Sequence, residues 1–364
     1  MSKAAELANL IGNINAGGGG ANKNAIINGA MNVAQRGTSS TGVGASSAYL
    51  TLDRYKIIVG GTDGRLTMTQ DSSAPSGFAN SLKLDCTTAD TSIASGEFLI
   101  LRQMIEGQNL QAFAKGTSDA KPFAVSFYVK GNASATYNCV LGDEDNTRQS
   151  VRQFTVGTDW SRVELTFPAD TTGAFDDDNA NSLEFNIILH AGSDLTSGSL
   201  NENVWEARDF TKQGSGISSF FDSTDRTFFI TGVQLEVGQN PTDFEHEPLE
   251  RTLLKCRRYF IKKETGVNFG TLGVGGHIIG GTTANVVVPL PVEMRSQGTL
   301  TTGGSIRCTA PNADTVTLAL AYGSKHLPQL TATDSGGFTD GGGNGVVLMG
   351  DNDDDAFIAF DAEL

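Results

Sequence analysis

Apolar residues fall on every second position through much of this chain. In residues 122–130, Phe123, Val125, Phe127 and Val129 share one face. Residues 162–167 place Val163, Leu165 and Phe167 on one side, and residues 183–189 repeat the rhythm. A period of two with one wet and one dry face predicts antiparallel strands. The same reading predicts strands over 48–60, 65–70, 81–86, 97–105, 136–141, 151–156 and 226–237. Clusters of Gly, Asp, Ser, Thr and Asn separate them, as tight turns require. So many strands with no helix between them predict an all-β region over residues 24–248, with two sheets packed face to face. In residues 226–237 the alternation slips. Phe228 and Ile230 lie on even positions, Val233, Leu235 and Val237 on odd ones, and Gly232 stands at the switch. A glycine at such a slip predicts a β-bulge.

Spacings of three and four occur in two places. Ala4, Leu7, Leu10, Ile11 and Ile14 make one helical stripe, and four glycines at 17–20 follow as a tether. A helix this short is marginal alone, so residues 1–23 read as an attachment or assembly element, or as a frayed terminus. Residues 249–260 read as a short linker helix, started by Pro248. Beyond it, residues 261–364 predict a second, smaller β-sandwich. Its strands fall at 284–289, 299–302, 305–309 and 315–322, and a terminal hairpin joins 346–349 to 356–360 across an acidic turn. The glycines between 336 and 345 predict a loop that is mobile or tightly turned.

Charge narrows the choice of partners. Lys+Arg number 26 against 41 Asp+Glu, a net charge of −15. Phosphate backbones are bound by clustered cations, so nucleic acid is not an expected partner. No apolar run reaches the length of a membrane-spanning helix, and the first residues lack the apolar core of a secretory signal. Membrane insertion is therefore not expected. Cys86, Cys139, Cys256 and Cys308 form no CxxC pair, which predicts four reduced thiols.

Catalytic signatures are missing. His190, His246, His277 and His326 are solitary and read as surface or strand-end residues. There is no HExxH, no GxSxG and no cysteine-centred signature. Residues 273–278 begin like a dinucleotide fingerprint but end in Ile278 with no helix after them, so that reading is rejected. The acidic run at 143–146 opens like a calcium loop. However, Arg148 stands where an EF-hand needs Gly, and Phe154 where it needs Glu. The run at 351–355 fails in the same way. Calcium held by carboxylates gathered from loops, with Asp143, Asp145, Asp176 and Asp178 as ligands, is the one cofactor the pattern allows. Sugar rings stack on exposed aromatic faces set among polar groups. Trp205, in the polar stretch 201–206, is the first candidate platform, followed by Tyr137 and Trp160. Trp160 precedes a strand and reads rather as a lid on the core.

Longer strings carry more information. Residues 24–38, with Asn28-Gly29, Met31 and Gln35-Arg36-Gly37-Thr38, resemble the N-terminal strand of tailed-bacteriophage virion appendage proteins. Leu52-Asp53-Arg54-Tyr55 resembles their next signature. So do Phe229-Ile230-Thr231-Gly232-Val233-Gln234-Leu235-Glu236-Val237-Gly238, Thr242-Asp243-Phe244-Glu245, Cys256-Arg257-Arg258-Tyr259-Phe260 and Pro291-Val292-Glu293-Met294-Arg295. The resemblance spans about residues 24–300. It implies a jelly roll similar to carbohydrate-binding modules, placed in a tail or tail fibre and usually homotrimeric. Phe229, Ile230, Val233 and Leu235 would be core. Gln35, Arg36, Asp53 and Arg54 would form buried polar ties between the first and last strands, with Gly232, Gln234 and Glu236 as further fold motifs. None of these transfers as a sugar site.

The leading expectation is thus a non-enzymatic structural protein of a phage tail or tail fibre, located in the virion and assembled in the host cytoplasm. Its partners would be copies of itself, other tail proteins through the N-terminal segment, and a host surface glycan. A stand-alone lectin is the second reading. A polysaccharide depolymerase is the third, disfavoured because such tailspikes usually have long repetitive bodies.

Overall fold

The computed structural model describes Lys3 and residues 23–309, 315–338 and 345–364. The helix expected over residues 4–14, its glycine tether and the glycines at 341–343 lie outside the described residues. The chain divides into two compact units between Leu249 and Glu250.

The first unit is built from thirteen described strands. They are β1 (Ser39–Val43), β2 (Ala48–Tyr49), β3 (Lys56–Gly60), β4 (Arg65–Asp71) and β5 (Ser81–Thr88). Next come β6 (Phe98–Glu106), β7 (Phe123–Gly131), β8 (Ala135–Asp143) and β9 (Arg148–Val156). The last are β10 (Ser161–Phe167), β11 (Asn181–Ala191), β12 (Glu206–Ala207) and β13 (Thr227–Val237). One sheet runs β1-β4-β5-β13-β7-β10 and the other β12-β9-β8-β11-β6-β3-β2. The chain passes back and forth between them, giving the jelly-roll sandwich. The alternating side chains do what their period demands: Phe123, Val125, Phe127 and Val129 are fully buried against Phe185, Ile187 and Leu189 of the facing sheet. All four cysteines are buried and unbridged.

The bulge lies where the phase breaks. Pairing of β13 with β7 shifts between Thr231 and Gln234, and Gly232 takes φ 63°. A Cβ there would stand 2.7 Å from the Phe78 ring and 2.9 Å from Tyr128. The slip keeps Val233 and Leu235 in the core after Phe228 and Ile230.

Two stretches differ from expectation. Residues 24–38 form turns, with Asn28 and Met31 at positive φ, and the first strand starts only at Ser39. The stretch 48–60 is broken at 50–55, where Arg54 has φ 73°. The polar motif explains both. Asp53 accepts from the Gln35 backbone N–H at 2.9 Å and from the Gln35 side-chain amide. Asn28 Nδ2 donates to the carbonyls of Val33 and Asp53, and buried Arg54 donates to Met104 O at 2.6 Å. The Arg36 guanidinium lies over the Tyr49 ring at 5.3 Å. These groups tie the first segment to the 50–55 turn and to β6, not to the last strand. That second tie is made by Asn24, whose Nδ2 donates to Val233 O, and by Glu236 and Gln234, which hold the 242–245 turn.

In the second unit, a helix at Leu249–Arg257 precedes two sheets. Phe260–Glu264, Phe357–Asp361 and Thr299–Gly303 form a three-stranded sheet. The other sheet has six strands in the order Ile306–Cys308, Gly345–Gly350, Thr271–Gly280, Thr283–Val287, Pro328–Thr333 and Thr317–Gly323. Ile261, Ile358 and Phe360 share one core with Leu272, Val286 and Leu348. The expected terminal hairpin does not form. Gly345–Gly350 pairs within the six-stranded sheet and Phe357–Asp361 within the three-stranded one, so the acidic turn carries the chain from one layer to the other. Thr271–Gly280, which holds the rejected fingerprint, is a strand.

Candidate functional site

The two sheets of the first unit differ on their outer faces. On the second sheet, Ile100, Val140, Val151 and Ile188 make a small cluster covered by Leu200 and Ile217. Asn138 Nδ2 there donates to the carbonyls of Gln213 and Ser215. Nearby, Arg102 is already bound to Glu184 at 2.6 Å and to Asn186 at 2.7 Å. That face is covered or internally satisfied across these groups.

The first sheet carries a different arrangement. Register places Thr69 opposite Lys83, Lys83 opposite Phe229, and Phe229 opposite Lys130. Trp160, one residue before β10, extends the row past Lys130, since Ser161 pairs with Val129. Side chains at these positions all leave the same side of the pleat. The Trp160 and Phe229 rings meet edge to face with centroids 6.1 Å apart. Lys130 Nζ lies 5.4 Å from the Trp160 centroid and 4.6 Å from that of Phe229. Lys83 Nζ lies 5.5 Å from Phe229. Attraction of the cation to the ring quadrupole helps hold both ammonium groups in the row. Ser73 Oγ accepts from Lys130 at 2.9 Å, and Asp85 pairs with Lys83 at 2.6 Å. Trp160, Lys83 and Lys130 remain partly exposed, while Phe229 is buried beneath them.

Two further features lie alongside. At the bulge, Phe78 packs on Tyr128, Phe244 and His246 with centroids 5.0–5.4 Å away. Ser161, next to Trp160, lines an open pocket of about 490 Å³ with Ser134, Thr136, Thr155 and Ser218. The polar side chains lining it carry hydroxyls and no charge, chemistry suited to a neutral polyhydroxylated ligand.

The residues favoured by sequence fall elsewhere. Trp205 is in the core: its Nε1 donates to Pro168 O at 2.8 Å and its ring packs on Phe123. Tyr137 is also core, edge-on to Phe228, and burial pushes its phenol above the ordinary range. Neither ring is open to stacking, because each fills space between the sheets. Trp160 alone of the three stands on a face.

The four carboxylates proposed for calcium do not converge. Asp145 accepts from Asp176 N, and Asp178 from Ala180 N, as turn residues. Asp143 is fully buried and bound to a cation of the chain's own. Lys115 Nζ sits 2.5 Å from Asp143 and 3.2 Å from Asp170, with the carbonyls of Thr172 and Gly173 at 2.8 and 2.7 Å. The rings of Phe175 and Trp205 lie 5.2 and 5.5 Å from that nitrogen. An ammonium thus fills an oxygen cage of the kind calcium would take.

No family model matches the chain, and no curated protein does. Among solved structures, it is similar to the enzymatically active domain of tailspike protein 4 of bacteriophage CBA120, with TM-score 0.31 and 13% identity over 59% of this chain. That match spans 21% of the tailspike chain. A family 11 carbohydrate-binding module from Clostridium thermocellum gives TM-score 0.27 and 12% identity, covering 57% of this chain and 98% of that one. The N-terminal cellulose-binding domain of Cellulomonas fimi β-1,4-glucanase C gives 0.27 and 15%, covering 53% and 90%. The fold assignment stands on the strand pairing above and not on these likenesses. Among the described residues no helix is long and apolar enough to cross a membrane.

Proposed function

We propose that this chain is a non-catalytic component of a phage tail appendage whose first unit binds a host surface glycan on the outer face of its first sheet. The observation that carries the glycan reading is the row Lys83, Phe229, Lys130 and Trp160. A partly exposed indole offers a stacking face, and the ammonium of Lys130 beside it, bound only to the neutral Ser73 hydroxyl, favours a glycan that bears a carboxylate. The hydroxyl-lined pocket at Ser161 lies next to Trp160 in sequence but on the other side of the pleat, and is not part of this face. The appendage reading is supported by the strings at 24–38, 52–55 and 229–245.

Binding to an array of neutral and uronate-bearing glycans tests the first part. We expect binding of acidic glycans that weakens at least tenfold in Trp160→Ala, with an unchanged far-ultraviolet circular dichroism spectrum. An array with no binding, or equal binding by the variant, refutes it. Self-association into a homotrimer is the second part. Tyr322, 75% exposed, and the exposed Val274 and Ile279 of the second unit are apolar surface that copies of the chain would cover. Native mass measurement gives three chains under this reading, and a monomer at micromolar concentration overturns it.

A further inference from the structure

The connection between β5 and β6 brings Asp90 and Glu97 to the end of β11, where His190 lies. One ligand atom from each falls within 4.8 Å of the others. All three side chains are buried, at 6%, 7% and 0% exposure. His190 Nε2 and Glu97 Oε2 face each other at 3.6 Å, and neither has a hydrogen-bond partner. No Lys or Arg among the described residues pairs with either carboxylate. Two acids and an imidazole are thus enclosed without a Lys or Arg, so that either the imidazolium form of His190 or a bound cation must balance the carboxylates.

The surrounding groups already orient the ligands. Asp90 Oδ2 accepts from the Thr62 hydroxyl at 2.8 Å and the Asp63 N–H at 2.9 Å, which fixes its carboxylate. His190 Nδ1 lies 2.8 Å from Ser219 Oγ. With the proton on Nδ1, Ser219 accepts it and Nε2 turns its lone pair toward Glu97. Such an outer partner is the usual companion of a metal-bound imidazole.

We propose that Asp90, Glu97 and His190 bind one divalent transition-series cation of the zinc class. Zinc bonds of about 2.0–2.1 Å set neighbouring ligand atoms about 3.3 Å apart in a tetrahedron. The observed 3.6 Å between His190 and Glu97 is close to that. An imidazole nitrogen selects against calcium and magnesium, which take oxygen. The ion would clamp the β5–β6 connection to β11 and is independent of the glycan face.

The test uses the full chain, stripped with chelator and passed through a desalting column. Zinc is added, excess is removed, and the metal is counted by mass spectrometry. Cobalt(II) then reports the ligand set by its visible absorption, with zinc as competitor. We expect one zinc per chain, a cobalt spectrum abolished by zinc, and a higher melting temperature. Glu97→Gln keeps the shape of the site. It should bind zinc at least tenfold more weakly, while its metal-free form melts no lower than metal-free wild type because a carboxylate has been removed. Zinc below about a tenth of an equivalent in the wild type overturns the proposal, whatever the variant does. Wild-type occupancy in a folded Glu97→Gln protein, or calcium outcompeting zinc, also overturns it.

Discussion

Replacing Lys115 by methionine removes the ammonium from its cage while nearly preserving side-chain length. Asp170 keeps a cation, because Arg148 Nε donates to it at 2.8 Å. Asp143 does not: it keeps only the donors of Asn146, whose backbone N–H lies 3.1 Å away. One buried carboxylate is thereby left without its counter-charge. Breaking a buried pair from one side costs about 3–5 kcal/mol, and the remaining Asn146 contacts place this case near 3. At a urea dependence of about 3 kcal/mol/M for a unit of this size, the midpoint falls by about 1 M. Tryptophan fluorescence reads this unit alone, since Trp160 and Trp205 are the chain's two tryptophans. The companion variant Lys115→Met/Asp143→Asn removes both charges and should recover a large part of the loss. A midpoint shift under about 0.3 M, or a double variant no better than the single one, refutes the reasoning.

Other outcomes follow from the same geometry. Gly232→Val meets both a positive φ and the rings of Phe78 and Tyr128, so it should lower the stability of the first unit by about 1–3 kcal/mol in urea unfolding. Burial pushes the Cys86 and Cys308 thiols up to about 11. All four cysteines are buried, so none should react with a disulfide reagent at pH 8 until denaturant is added. In the second unit, the backbone N–H groups of Ser305 and Asp355 hold the Asp353 carboxyl below its ordinary value. That contribution is complete above the unfolded carboxyl's pKa and is lost as pH falls through the lower folded one. Protection of the Ser305 amide, its exchange rate compared with that of an unprotected amide at the same pH, should fall on acidification, and in Asp353→Ala that protection should be low at every pH.

The sandwich was legible because its signal is local. Phe123 to Val129 state their inward face without help from elsewhere, and the slip at Gly232 marks its own bulge. Thr271–Gly280 escaped notice for the opposite reason. Gly273 and Gly276 stand where apolar side chains would have shown the rhythm, and a Cβ on either would come within 3 Å of neighbouring strands. Trp205 was misread because polar neighbours promise a surface, whereas its indole is drawn inward by Phe123, Pro168 O and the ammonium of Lys115. Of the proposed glycan face, only Trp160 could be named from the sequence. Lys83, Lys130, Trp160 and Phe229 come from four segments and become neighbours only through register. His190 looked solitary for the same reason, its acidic companions lying in a distant connection.

The closing of the first unit has a temporal consequence. The backbone N–H groups of Lys23 and Asn24 both donate to Glu245 Oε2, and Ala25 N donates to Leu235 O. A ribosome must therefore release more than two hundred residues before the earliest of these can find its seat. Until then the opening segment of the nascent chain stays unpaired, because the residues that seat it have not yet emerged. When several copies are made side by side on one message, each seat can be filled by a neighbour's segment as well as by its own.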